Sequence, residues 1–259
     1  MFELRSACTL VLFAGAVAML PPTADSVREF GSWCLRPARL PFAWQAMNSA
    51  REDGDAREVF ARGQQILQLV PSWTDGHAAF VYNYVATQDH SLEPDAVTAA
   101  VEERLHAGLA MLEDARRFAG RREASLLHFA AYMPDMLCNR FPALREHMRR
   151  GDRDSASVIA NRYFAEIERL FPTAATREQL LWHVPAFAAS VLAMGNLPLA
   201  LDAIDTAIAK APEIRNQELA TEWRERLVEV ARYLRGATTV DLSQVFEDQR
   251  FETLWPYLR

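Results

Sequence analysis

Lysine is nearly missing from this 259-residue chain: Lys210 stands alone among 28 basic residues, and the rest are arginine. Glycine is also scarce, at 10 residues, fewer than turn-dense β architectures or Gly-loop nucleotide folds need. Cysteine occurs three times, as Cys8, Cys34 and Cys138, with no CxxC or Cys/His spacing of the zinc type. No GxxxxGK[ST], GxSxG or HExxH motif is present. No segment alternates apolar and polar residues as a half-buried strand would. The formal charge is −6, from 28 Lys+Arg against 34 Asp+Glu. A chain without surplus cations is poorly suited to neutralising phosphates, so nucleic acid is not an expected partner.

Catalytic and metal groupings are equally thin. The six histidines are His77, His90, His106, His128, His147 and His183, and none lies four residues from another. His128 and Cys138 are ten residues apart, about 80° in direction on a helix, and Pro134 lies between them. The acidic turn Glu52-Asp53-Gly54-Asp55 lacks the alternating ligands and distal Glu of a calcium loop and reads as a helix cap. Sequence spacing therefore gives no catalytic residue, no metal site and no cofactor. Cys34 and Cys138 are open to two readings: a disulfide in an oxidising compartment, or small buried thiols, which is the preferred one.

What the chain does have is helical periodicity. Apolar residues recur at three- and four-residue spacing from Phe42 onward, with breaks at Gly54, Pro71, Pro94, Gly120, Gly151, Pro172, Gly195, Pro212 and Gly236. The spacing predicts helices over 42–52, 56–70, 75–88, 95–118, 122–138, 142–150, 154–170, 175–194, 197–210, 214–235 and 247–257. Residues 25–41 are expected to form a linker, because Pro37 and Pro41 oppose regular structure. Before them, residues 6–24 carry no charge. That length is at the lower limit for a membrane span. Arg5 precedes the run, and Ala16-Val17-Ala18 offers a small-residue cleavage site. Segment 1–24 is accordingly expected to be a signal anchor, or alternatively a cleaved signal peptide or a buried helix. The first two place the helical domain outside the cytoplasm.

Two segments share a pattern. Gly54-Asp55-Ala56 leads to Pro71, and Gly195-Asn196-Leu197 leads to Pro212, with the same Gly-to-Pro offset of 17. Ala200 and Ala207 flank Ile204 in the second copy, and Ala160, Phe164, Ile167 and Pro172 form a weaker third copy that has Ser155 at the glycine position. This pattern resembles the second half of a tetratricopeptide (TPR) repeat, and the whole arrangement resembles bacterial TPR proteins with an N-terminal hydrophobic segment. The departures are Val59 and Ile66 at small positions, Gly63 at the large one, no strict 34-residue period, and a poor match over 89–150. The resemblance implies an all-α, irregular TPR-like helix-hairpin solenoid over 42–235, with 236–259 as a closing segment. The physics agrees: one hairpin cannot bury its apolar stripe, whereas stacked hairpins can.

By that resemblance the first helix of each hairpin lines a concave groove. Trp44, Asn48 and Arg51, then Asp75, Ala78 and Tyr82, then Trp182 and Ala189 would face a bound peptide. A second candidate is charge. Nine arginines between Arg116 and Arg153 face only four acids in the same stretch. Arg145 and Arg149 from this cluster are taken as contacts for an acidic partner, against the alternative of a merely solvated face. The expected function is non-catalytic binding of a peptide or partner helix by a membrane-anchored protein. The alternatives are a structural subunit of an envelope assembly and an enzyme with a dispersed helical site.

Overall fold

The structure is a computed structural model. It describes the backbone of residues 24–53, 55–87, 93–150 and 154–259, and the side chains of these from residue 38 onward except 56, 94 and 95. The described residues form an all-α protein with eleven α-helices and no strand. The expected membrane segment, residues 6–24, lies outside them except for Ala24. Among the described residues no helix is long and apolar enough to cross a membrane.

Residues up to Pro71 form one compact unit and residues from Ser72 a second. In the first, α1 (Ala24–Glu52) packs on α2 (Ala56–Leu69) as a helix hairpin. Helix α1 runs through the stretch 25–41, which sequence reading left irregular. A proline withdraws only its own N–H and crowds one carbonyl, and α1 continues past Pro37 and Pro41. Asp55 caps α2 by accepting from the Glu58 N–H at 3.0 Å. The acidic turn is thus a helix cap, as its residues suggested.

The second unit contains α3 (Thr74–Ala86), α4 (Pro94–Ala119), α5 (Glu123–Arg140) and α6 (Pro142–Arg150). It continues with α7 (Ala156–Leu170), α8 (Ala174–Ala193), α9 (Leu197–Lys210), α10 (Gln217–Leu234) and α11 (Ser243–Glu247). A 3₁₀ stretch, Gln249–Tyr257, follows. Each predicted helix from 75 to 235 is present within a few residues. The expected closing helix over 247–257 is instead α11 and the 3₁₀ stretch, divided where Asp248 accepts from the Arg250 N–H.

Packing follows chain order: α3 on α4, α4 on α5, α5 on α7, α7 on α8, α8 on α9 and α9 on α10. Helix α3 also touches α5. Gln179 of α8 bonds to the Tyr132 hydroxyl of α5, and Trp182 of α8 meets Trp223 of α10 edge-on at 4.7 Å. The short helix α6 is an addition between α5 and α7 that packs back on α4 and α5. Two cores result. One joins α3 to α7 around Leu105, Leu112, Met133, Leu137 and Ile159; the other joins α8 to the C terminus around Ile204, Trp223, Leu227 and Phe251.

Close approach sets the small residues. A Cβ on Gly108 of α4 would lie 2.8 Å from methyls of both Val81 and Val85 of α3. Gly195 turns the chain from α8 to α9 at φ +73°, in the left-handed region that favours glycine. Ser155, at the glycine position of the weak third copy, is the N-cap of α7 and accepts from the Val158 N–H. Ala200, Ile204 and Ala207 are all fully buried. Replacing Ala207→Leu should destabilise the protein by about 1–3 kcal/mol through overpacking. Urea unfolding checks this, and an unchanged midpoint would mean that α9 is not packed as closely as described.

Candidate functional site

The sequence-predicted site residues fall in several places. On α1, Trp44 is 36 % exposed and Asn48 and Arg51 are exposed. They lie four and three residues apart, on one side of the helix. Tyr82 is half-buried against the first core, and Asp75 is exposed and paired with Arg122 at 3.1 Å. Trp182 sits within the second core, edge-on to Trp223 and with the Arg250 guanidinium 5.3 Å above its ring. Arg250 is held there by Asp248, which also receives Arg226 at 2.7 Å. These contacts fasten the 3₁₀ stretch across α8 and α10. Burial opposes ionisation of the Asp248 carboxyl, but bonds from Arg250 and the charge of Arg226 hold its pKa below the usual aspartate value.

Arg145 and Arg149, by contrast, are brought together with Ala189 in one cleft of roughly 410 Å³. Helix α6 supplies the two arginines on one rim. The first turn of α7 supplies Ser155, Ala156 and Ser157, and α8 lays Ala186, Ala189, Ser190 and Ala193 along the floor. Thr253, Pro256 and Tyr257 of the 3₁₀ stretch close the other side. The cleft therefore joins four elements that are distant in the chain. Two helix faces of small residues leave the open space, and the C-terminal stretch walls it.

The position of α6 follows from its residues. Leu144 and Met148 are buried in the first core, which leaves Arg145 and Arg149 exposed on another side of the helix. His147 adds a polar tie: its Nε2 lies 3.1 Å from Glu102 of α4, a residue only 7 % exposed. The second oxygen of Glu102 faces His106 Nε2 at 4.0 Å, and neither atom has a hydrogen-bond partner. Sequence reading missed this trio because it compared histidines with each other and with cysteine, but not with glutamate. The Glu102–His106 spacing of four was the available signal.

The charge of the cleft is only partly compensated. Arg149 donates through Nε and Nη2 to Glu146, both at 2.7 Å. Glu146 also takes Arg150 at 2.6 Å. Arg145 lies 3.3 Å from Asp135 of α5. Hydrogen bonds from Arg149 above all bring the Glu146 pKa down to about 2, and the Arg149 pKa rises in return. The Tyr257 hydroxyl also faces Arg149 and adds to that rise. Three guanidinium groups thus meet two carboxylates, leaving one positive charge at the rim.

Three other members of the arginine cluster are matched by acids from their own or neighbouring helices. Arg116 binds Glu113, Glu123 and Glu166; Arg117 binds Asp114 and Arg122 binds Asp75. Those glutamates lie partly outside the stretch counted in the sequence, so the apparent surplus was larger than the folded one. Arg153 lies outside the described residues.

Cys138 of α5 is a free thiol, 3 % exposed. Burial raises its pKa to about 11, a rise that the nearby Arg145 charge opposes. The side chain of Cys34 lies outside the described residues. At pH 8 only about one thousandth of the Cys138 thiol would be thiolate. Its labelling by a disulfide reagent should be over a hundredfold slower in the native chain than in urea, as read on the Cys138 peptide by mass spectrometry. Equal rates would contradict its burial. His183 also keeps a depressed pKa, through burial, while its Nε2 lies 2.9 Å from the Ser157 carbonyl. That contact ties α8 to the first turn of α7, at the cleft.

No family model, curated protein or solved structure matches the chain.

Proposed function

We propose that this protein is a non-catalytic binding scaffold: a TPR-like helix-hairpin solenoid that holds an acidic segment of a protein partner, anchored at a membrane through residues 6–24. The observation that carries the reading is the cleft. Arg145 and Arg149 stand exposed on one rim, and the polar groups around it are guanidinium, hydroxyl and helix-terminal N–H donors, suited to holding an anion. The succession of helix hairpins supports the solenoid. The burial of Ala200 and Ala207 on either side of Ile204 supports the TPR-like repeat.

A second reading, a structural subunit of an envelope assembly, is favoured by a different surface. Met194, Leu197 and Leu199, at the turn from α8 to α9, are 54 %, 38 % and 42 % exposed. Apolar residues grouped at one turn suit lateral contact between subunits.

Affinity capture of the full chain from membranes of its native host separates the readings. The scaffold reading expects one stoichiometric partner that is lost in Arg145→Glu/Arg149→Glu and weakened in Arg145→Gln/Arg149→Gln, with thermal unfolding reporting whether the variants fold. Several subunits retained by both variants would favour the structural reading. No partner at all would count against both.

A further inference from the structure

The cleft has a second property besides its positive rim. Ala186, Ala189 and Ala193 of α8 make most of its floor apolar, and Pro256 adds an apolar patch beside Thr253 and Tyr257 on the far wall. Roughly 410 Å³ is within the size range of small-ligand sites. Among the described residues Ser157 adds a specific polar feature. It is 8 % exposed and lines the cleft.

We infer that the cleft takes a single carboxylate carried on a short aliphatic segment, with Arg145 and Arg149 holding the carboxylate and the alanine floor covering the aliphatic part. This rests on the reading of the cleft as the binding site and names the chemistry of what it binds. The charge balance selects a monoanion. Arg145, Arg149 and Arg150 against Asp135 and Glu146 leave one positive charge. A phosphate dianion would bring a second negative charge close to Glu146 and Asp135. The row of alanines along the floor favours a slim alkyl chain. The first-turn N–H groups of α7, a 15-residue helix, add donors at the same end. Two sources could supply this chemistry: a free short-chain carboxylate, or an acidic side chain of a partner segment, whose own methylenes would lie on the floor.

The test is calorimetric titration of the full chain, in a non-ionic detergent, with hexanoate, with hexylamine, with inorganic phosphate, and with a blocked peptide bearing one glutamate between alanines. Saturable binding of hexanoate or the peptide is expected, weakened about tenfold or more in Arg149→Gln and also reduced in Ala186→Leu, which fills the floor without altering charge. The peptide binding while hexanoate does not would assign the carboxylate to a partner chain. Phosphate binding more tightly than both carboxylates would overturn the inference, as would equal binding of hexylamine or carboxylate binding unaffected by either substitution. If partner capture responds to Arg145 and Arg149 but neither carboxylate binds, the scaffold reading stands and this inference fails.

Discussion

Replacing Trp223→Ala should cost about 3–5 kcal/mol, the range for deleting a fully buried large aromatic. Trp223 of α10 is 0 % exposed. Its ring meets Trp182 edge-on at 4.7 Å and Phe251 at 4.7 Å, with the Arg250 guanidinium 5.5 Å away. Trp182 belongs to α8 and the other two neighbours to the C-terminal 3₁₀ stretch, so one truncation opens α8, α10 and that stretch together. For a folded unit of this size the melting temperature should fall by roughly 10 °C, since 1 kcal/mol corresponds to about 2–4 °C. The indole N–H of Trp223 has no hydrogen-bond partner. Trp223→Phe should therefore cost much less, below about 1.5 kcal/mol, because it keeps most of the ring and removes an unsatisfied donor. Limited proteolysis should cut the C-terminal stretch faster in the alanine variant. Equal loss in both variants would contradict this account, because phenylalanine keeps an aromatic ring in the same contacts.

Arg116→Ala should cost about 2 kcal/mol, by the loss of several charge-assisted hydrogen bonds at a mostly covered site. The Arg116 side chain is 17 % exposed. Nη1 reaches Glu113 at 2.6 Å, Nη2 reaches Glu166 at 2.7 Å, and Nε and Nη2 reach Glu123 at 3.1 and 2.9 Å. One guanidinium thereby ties α4 to the start of α5 and to α7. Burial works against its charge, but the three carboxylates outweigh it and raise the Arg116 pKa. Removal leaves three acids facing one another. Arg116→Lys should fall between wild type and alanine, because an ammonium keeps the charge but lacks the fork. In a Glu166→Gln background the Arg116→Ala loss should shrink, and a double-mutant cycle measures the coupling. Strict additivity would contradict the described contact.

The two large predictions concern residues of very different legibility. Leu219, Trp223, Leu227, Val230 and Leu234 recur at helical spacing, and the middle three are buried while Leu219 is 37 % exposed. Periodicity identified α10 because burial is written into a single helix. The partners of Arg116 are up to 50 residues away in the chain, and no local rule joins Arg116 to Glu166. The same distinction explains the cleft. Arg145 and Arg149 stood out as charge, but Tyr257, Ser157 and the floor of α8 reach them only through folding. Trp182 illustrates the reverse: its place on a first helix of a hairpin was legible, while its cover by Trp223 and Arg250 depends on where the C-terminal stretch returns. Helix α1 is not legible over 25–41, because Pro37 and Pro41 oppose a helix only locally and the helix continues through them.

Hydrogen exchange of the full chain, alone and with its captured partner, tests the central claim most directly. Binding at the Arg145–Arg149 cleft predicts added protection in α6, in the first turn of α7 and in residues 249–257, with little change in α3 or α4. Protection confined to the turn between α8 and α9, or absent from α6, would contradict it.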